Sequence, residues 1–141
     1  SPPPLPPLPP PLVITGGAAC QSAALDNVEY VSAGYTASGA PYYHASTPSS
    51  SYLYWDPDCN GNGVAGAIWI VDTDQPSTTA SSDLDGDGKC IFIAFLNSYS
   101  SSTPLGTTTW TVWCNPFTDI ALTLAFPSPP SSPPSPPSSP P

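Results

Sequence analysis

Positive charge is almost missing from this chain. Its 141 residues include one lysine, Lys89, no arginine and ten acids, for a formal charge of −9. Clustered Lys and Arg are what grip phosphate, so nucleic acid is excluded as a partner. Anionic membrane surfaces are disfavoured for the same reason. No apolar run approaches the roughly 20 residues that a membrane span needs. Histidine occurs once, as His44, in a Tyr-Tyr-His-Ala-Ser stretch that reads as strand or surface rather than as a catalytic base. A Gly-x-Ser-x-Gly elbow, a P-loop and a dinucleotide fingerprint are all lacking. No enzyme is expected. Asn27, Asn60, Asn62, Asn97 and Asn115 all stand outside an N-glycosylation motif. The chain has no initiating Met and no signal peptide, which reads as a mature segment or one piece of a longer chain.

Proline is abundant, and its placement is uneven. Of 23 prolines, 17 lie in residues 1–12 and 127–141. The ring fixes φ and removes the N–H donor, so neither end reads as helix or central strand. Polyproline II remains, with about 3.1 Å rise per residue, giving rods of roughly 37 Å and 46 Å. Residues 13–126 are left as one domain between two spacers. Leu5, Leu8 and Leu12 recur along the first rod at steps of three and four. With three residues per turn they fall near one side, which marks them as assembly residues. The second rod interrupts its prolines with serine alone.

Four cysteines, Cys20, Cys59, Cys90 and Cys114, are separated by 39, 31 and 24 residues, which matches no zinc pattern. An even count in a lysine-poor, Ser/Thr-rich chain reads as two disulfides and an oxidising, extracellular setting. Three pairings are available. Cys20–Cys114, joining the ends of the domain, and Cys59–Cys90, joining two acidic turns, are favoured.

The domain reads all-β. Strands are expected at 28–31, 42–45, 52–55, 67–71, 91–96, 108–113 and 120–126, where Val, Ile, Thr and aromatics collect between turn residues. Ile120, Leu122, Leu124 and Phe126 alternate with milder residues, the mark of a strand with one buried face. Ile91–Leu96 is apolar on both faces and reads as a central strand. Seven short strands with polar turns predict a small disulfide-linked antiparallel sandwich or flattened barrel. Trp55, Trp69, Trp110 and Trp113 read as core and sheet-packing residues, with a sugar platform the alternative for one of them.

Seven of the ten acids lie between Asp56 and Asp87. In Asp83-Leu-Asp85-Gly-Asp87-Gly88, carboxylates at alternate positions before glycine suit a tight loop around a hard cation. A weaker echo is Asp56-Pro-Asp58-Cys-Asn60-Gly61, and Asp72-Thr-Asp74 lies between the two. The alternative is that Asp and Gly are simply good turn formers. No cofactor is required; a structural calcium held by Asp83, Asp85 and Asp87, with Asp56 and Asp58 as weaker candidates, is the expectation to test. The first loop resembles the opening half of EF-hand and thrombospondin-type calcium loops. It departs from the EF-hand at its twelfth position, which is Ala94 rather than Glu.

The Ser-Pro-Pro, Ser-Ser-Pro-Pro and Pro-Pro-Pro blocks of the ends resemble the hydroxyproline-rich extracellular glycoproteins of algae and plants, of the extensin, pherophorin or flagellar-hair kind. The resemblance covers the tails, not the β domain. It implies hydroxylation and O-linked glycans on the proline runs: Pro2, Pro3, Pro4, Pro6, Pro7, Pro9 and Pro10 at one end, and Pro129, Pro130, Pro133, Pro134, Pro136, Pro137, Pro140 and Pro141 at the other. Joined end to end, copies of the chain would give unbroken Ser/Pro/Leu rods between β beads. The reading is a structural subunit of an extracellular fibre or wall layer whose partners are copies of itself and covalent O-glycans. The alternative is a calcium-assisted carbohydrate-binding or adhesion module on proline-rich tethers.

Overall fold

Eight antiparallel strands follow one another round a closed barrel in the computed structural model, which describes residues 4, 6–63 and 66–127. They are β1 (Leu12–Thr15), β2 (Val28–Tyr35), β3 (Pro41–Ala45), β4 (Ser51–Asp56), β5 (Ile68–Asp72), β6 (Ala94–Asn97), β7 (Gly106–Trp113) and β8 (Phe117–Ala125). Each pairs with its sequence neighbour, and β1 closes the barrel on β8 with Val13 opposite Ala125. The fold is therefore all-β and antiparallel, as expected, and of the two architectures left open it is the barrel. Among the described residues there is no α-helix, and no helix is long and apolar enough to cross a membrane.

Period-two patterning explains the closure. Inward positions carry Leu12 and Ile14 of β1, Tyr30 of β2, Tyr43 of β3, Leu53 of β4, Trp69 and Val71 of β5, Trp110 and Val112 of β7, and Leu122 and Leu124 of β8. An eight-stranded barrel has an interior just wide enough for side chains to fill. Here the three buried aromatics on β2, β3 and β5 and Trp110 fill it, and no pocket opens among the described residues. Each fully buried Leu or Ile contributes about 1.5–3 kcal/mol. Loops close both mouths. At one, residues 16–27 fold Leu25 inward, and the Tyr30 hydroxyl donates to Ala24 O at 2.9 Å. At the other, residues 98–105 accept the indole N–H groups of Trp55 (to Ser98 O, 2.9 Å) and Trp69 (to Ser100 O, 3.1 Å). Burial pushes the Tyr30 hydroxyl up to about 12.

The two disulfides are Cys20–Cys114 and Cys59–Cys90, with Cα–Cα distances of 5.3 and 5.4 Å. This is the favoured pairing. The first ties the turn after β1 to the β7–β8 hairpin. The second ties the turn after β4 to the long connection before β6.

Three features differ from the sequence reading, the first being Phe126, which lies past the end of β8, 43% exposed, instead of on the strand's buried face. Leu12 is not on the rod: it opens β1 and is fully buried in the barrel, so it does not share an outer side with Leu8. β1 ends after Thr15 because Gly16, at φ 107°, lies against β8, where an added Cβ would meet Ala121 O at 2.5 Å. Residues 91–93 are not strand. They lead the chain back from a cover over β4 and β5, and β6 begins only at Ala94. That cover, residues 73–93, lays Leu84 against Tyr54, Ile68 and Ile70, the outward side chains of β4 and β5. It explains why every residue of β5 is buried.

Candidate functional site

The acidic residues meet beside this cover. Asp72 ends β5, Asp74 follows it, and Asp83, Asp85 and Asp87 line the turn 83–88. Carboxylate oxygens of Asp72, Asp74 and Asp85 lie within 4.8 Å of one another, and so do those of Asp83, Asp85 and Asp87. Asp85 belongs to both groups. Burial pushes its carboxyl up to about 7; the Asp87 amide opposes the rise, while Asp83 and Asp87 add to it. The Asp85 carboxyl hydrogen-bonds Asp72, which burial also raises, with the Thr73 amide opposing. The Tyr54 hydroxyl donates to Asp72 Oδ2 at 3.3 Å.

The turn holds its own shape. Asp83, at φ 49°, accepts the Gly88 amide at 3.1 Å, and Asp87 accepts the Lys89 amide at 2.8 Å. Asp85 thus joins two three-carboxylate groups, each an oxygen-only, anionic donor set. That chemistry suits a hard cation such as calcium rather than a soft metal. Asp72 and Asp74 were visible in the sequence but not counted with the turn, because they arrive from the end of another strand.

Asp56 is not a ligand of this group. It is buried, and both of its oxygens are taken by backbone amides: Oδ1 by Asp58 N at 2.9 Å and Oδ2 by Leu84 N at 2.8 Å. Burial raises its carboxyl, and these two bonds pull it back. Its work is to fasten the cover to the turn after β4. Asp58 Oδ2 accepts the Gly63 amide at 2.6 Å, and its carbonyl accepts the Asp83 amide at 2.8 Å.

Part of the N-terminal proline-rich segment is seated on the barrel. Residues 6–11 continue the line of β1 beside the overhanging end of β2. The Ser32 hydroxyl donates to Pro9 O and the Tyr35 hydroxyl to Pro7 O, the latter at 2.8 Å. Ser32 and Tyr35 are three residues apart and would face opposite sides of a regular strand. A bulge between Ser32 and Gly34 puts them opposite Tyr43 and Pro41, hence on one side. Leu8 stays half-exposed, as do Pro4, Pro6, Pro7 and Pro10 at least, while Pro9 is partly covered. Leu5, Pro2, Pro3 and the prolines from Pro129 to Pro141 lie outside the described residues.

Among the described residues, nothing covers the wall formed by β7 and β8. Its outward residues pair as Thr107 with Thr123, Thr109 with Ala121, Thr111 with Asp119, and Trp113 with Phe117. Trp113 is 51% exposed and packs edge-on against Phe117, which also touches Phe92 and Phe95. Of the four tryptophans, Trp69 and Trp110 are core, Trp55 is half-buried, and Trp113 alone stands outside. His44 stacks on Tyr52, and its Nε2 lies 3.0 Å from the Ser50 hydroxyl.

No family model matches the chain, and no curated protein or solved structure matches it either.

Proposed function

We propose that this chain is a structural subunit of an extracellular glycoprotein fibre or surface layer, a packed β bead carried on proline-rich rods. The observation that carries this reading is the seat of the first rod: hydroxyls of Ser32 and Tyr35 hold the carbonyls of Pro9 and Pro7 beside β2. A proline run has acceptors and no donors, so a surface offering side-chain hydroxyls is made to receive one. The two disulfides agree with an oxidising compartment. In this reading the Pro-Pro members of both tails are hydroxylated and carry O-linked glycans. Copies join head to tail, and heterologous contacts of that kind propagate into filaments.

Glycopeptide mass spectrometry of the native protein, with electron microscopy of concentrated samples, tests the reading. Glycosylated hydroxyproline in residues 127–141 together with fibres supports it; unmodified proline in a chain that stays monomeric overturns it. A second reading, a calcium-assisted carbohydrate-binding or adhesion module, is favoured by the two carboxylate groups that share Asp85. Calcium-dependent retention on a glycan array would select it.

A further inference from the structure

We propose that the outer wall of β7 and β8 is the docking surface for the C-terminal proline-rich segment, residues 128–141, of a second copy of this chain. The inference rests on the bead-and-rod reading and names the surface through which copies would join. The requirements follow from the occupant. A polyproline segment needs donors for its carbonyls and aromatic faces for its rings. β2 meets the first need for residues 6–11 with two hydroxyls on one side of the strand. The β7–β8 wall also offers hydroxyls, on the barrel's outer face instead of the inward side that Ser32 shares with Tyr43. Thr107 and Thr109 point outward two residues apart. Thr123 stands across from Thr107 and the two hydroxyls hydrogen-bond at 2.7 Å, which leaves one proton of that pair and the Thr109 hydroxyl to donate outward; the row ends in Trp113 against Phe117.

Length and charge fit as well. The eight residues of β7 span about 27 Å. Fourteen residues of polyproline reach about 43 Å, enough to cover the wall and leave a link to their own barrel. Residues 128–141 are all Ser and Pro, so they approach a chain of net charge −9 without repulsion. The one acid among the wall's outward pairs, Asp119, already accepts the Thr111 hydroxyl at 2.8 Å.

The occupant comes from another copy because of where β8 releases the chain. Ala125 lies at the end of the wall opposite Trp113, with the strand heading away from the barrel. A proline biases the residue before it towards extended backbone, so Pro127 opposes an immediate reversal at Phe126 onto the same wall. The N-terminal segment, for its part, is already beside β2.

The test uses the full chain and a glycopeptide of residues 127–141 bearing the hydroxyproline O-glycans that the bead-and-rod reading gives this segment. Excess peptide should disperse oligomers in sedimentation velocity and shift the tryptophan emission. Trp113→Ala and Thr109→Arg should each weaken peptide binding about tenfold or more while leaving the barrel's melting transition in place. Oligomers that survive both substitutions and excess peptide overturn this wall but leave the bead-and-rod reading standing. A chain that stays monomeric and ignores the peptide overturns both. A concentration-independent emission shift that disappears when residues 128–141 are removed assigns the wall to the chain's own tail, and overturns the second-copy occupant.

Discussion

On β4 and β5 the outward residues include Tyr54, Ile68 and Ile70, and residues 73–93 lie over them. On β7 and β8 they are mainly Thr and Ala, with Trp113 and Phe117 at one end, and they stand open. Both walls belong to one barrel with one interior. Backbone geometry therefore does not decide which wall is covered; the side chains at alternate positions do. Aliphatic outward residues need a lid, and the lid here is a long connection with little regular structure, held by three fasteners: Leu84, Asp56 and the Cys59–Cys90 bridge. Threonine outward residues can face water directly, so this wall needs no lid.

The largest test of this contrast is truncation on each wall. Leu84→Ala should destabilise the fold by about 2–4 kcal/mol, since it leaves a cavity under the cover. Phe117→Ala, on the half-exposed cluster, should remove less than about 1.5 kcal/mol. Denaturant melts with unchanged slopes would read both. Similar losses at the two positions would mean that the walls are not energetically distinct.

Asp56→Ala should come next. It strands the buried Leu84 amide, at a cost of about 1–3 kcal/mol, and frees the part-buried Asp58 amide, which water can reach. The loss should loosen residues 73–93 more than the barrel, so hydrogen exchange should quicken at Leu84 and stay slow in β7.

A smaller effect concerns pH. The Asp85 carboxyl stands near 7 in the fold against about 3.9 in an unfolded chain. The native state then binds the extra proton between those values, and stability falls as pH rises through that window. Thermal melts should therefore improve on acidification from pH 8 to pH 5, and Asp85→Asn should flatten the dependence. If calcium is the resident counter-charge, adding it at pH 8 should give the same gain and a chelator should reverse it. A melting temperature indifferent to both acid and calcium would leave the carboxylates as solvated turn formers.

The smallest expected effect is on the bare wall itself. Thr109→Val changes no buried contact, and surface replacements of that kind usually stay within about 0.5 kcal/mol.

Much of this was legible in the residues. The alternation of Ile120, Leu122 and Leu124 marks the inner face of β8, though not as far as Phe126, and β-branched and aromatic runs located seven of the eight strands. β1 was hidden because Leu12 follows a proline run and the strand is four residues long, too short to show a period against that background. Ile91–Ile93 misled because an apolar run on both faces suits a central strand, whereas here it ends the cover, with Ile91 exposed and Phe92 and Ile93 packed inward. The turn 83–88 announced its carboxylates by spacing. Asp72 and Asp74 join them only through the fold, and Asp56 looked like a ligand because sequence does not show that two backbone amides have claimed it. The bare wall was written in Thr107, Thr109 and Trp113, but nothing local distinguishes an outward threonine from an inward one.

The closing pair of the barrel also has a mechanical meaning. β1 enters and β8 leaves at the same end, Val13 opposite Ala125. Tension applied through the two tails would therefore peel these strands apart bond by bond instead of shearing them together. Peeling stops at Cys20–Cys114. Beyond it, load passes through the covalent bridge and bypasses residues 21–113. Only residues 12–20 and 114–126 can then pay out, roughly 75 Å of chain. The bead would act as a short extensible link with a hard stop, and under reducing conditions a pulling experiment should find that stop gone.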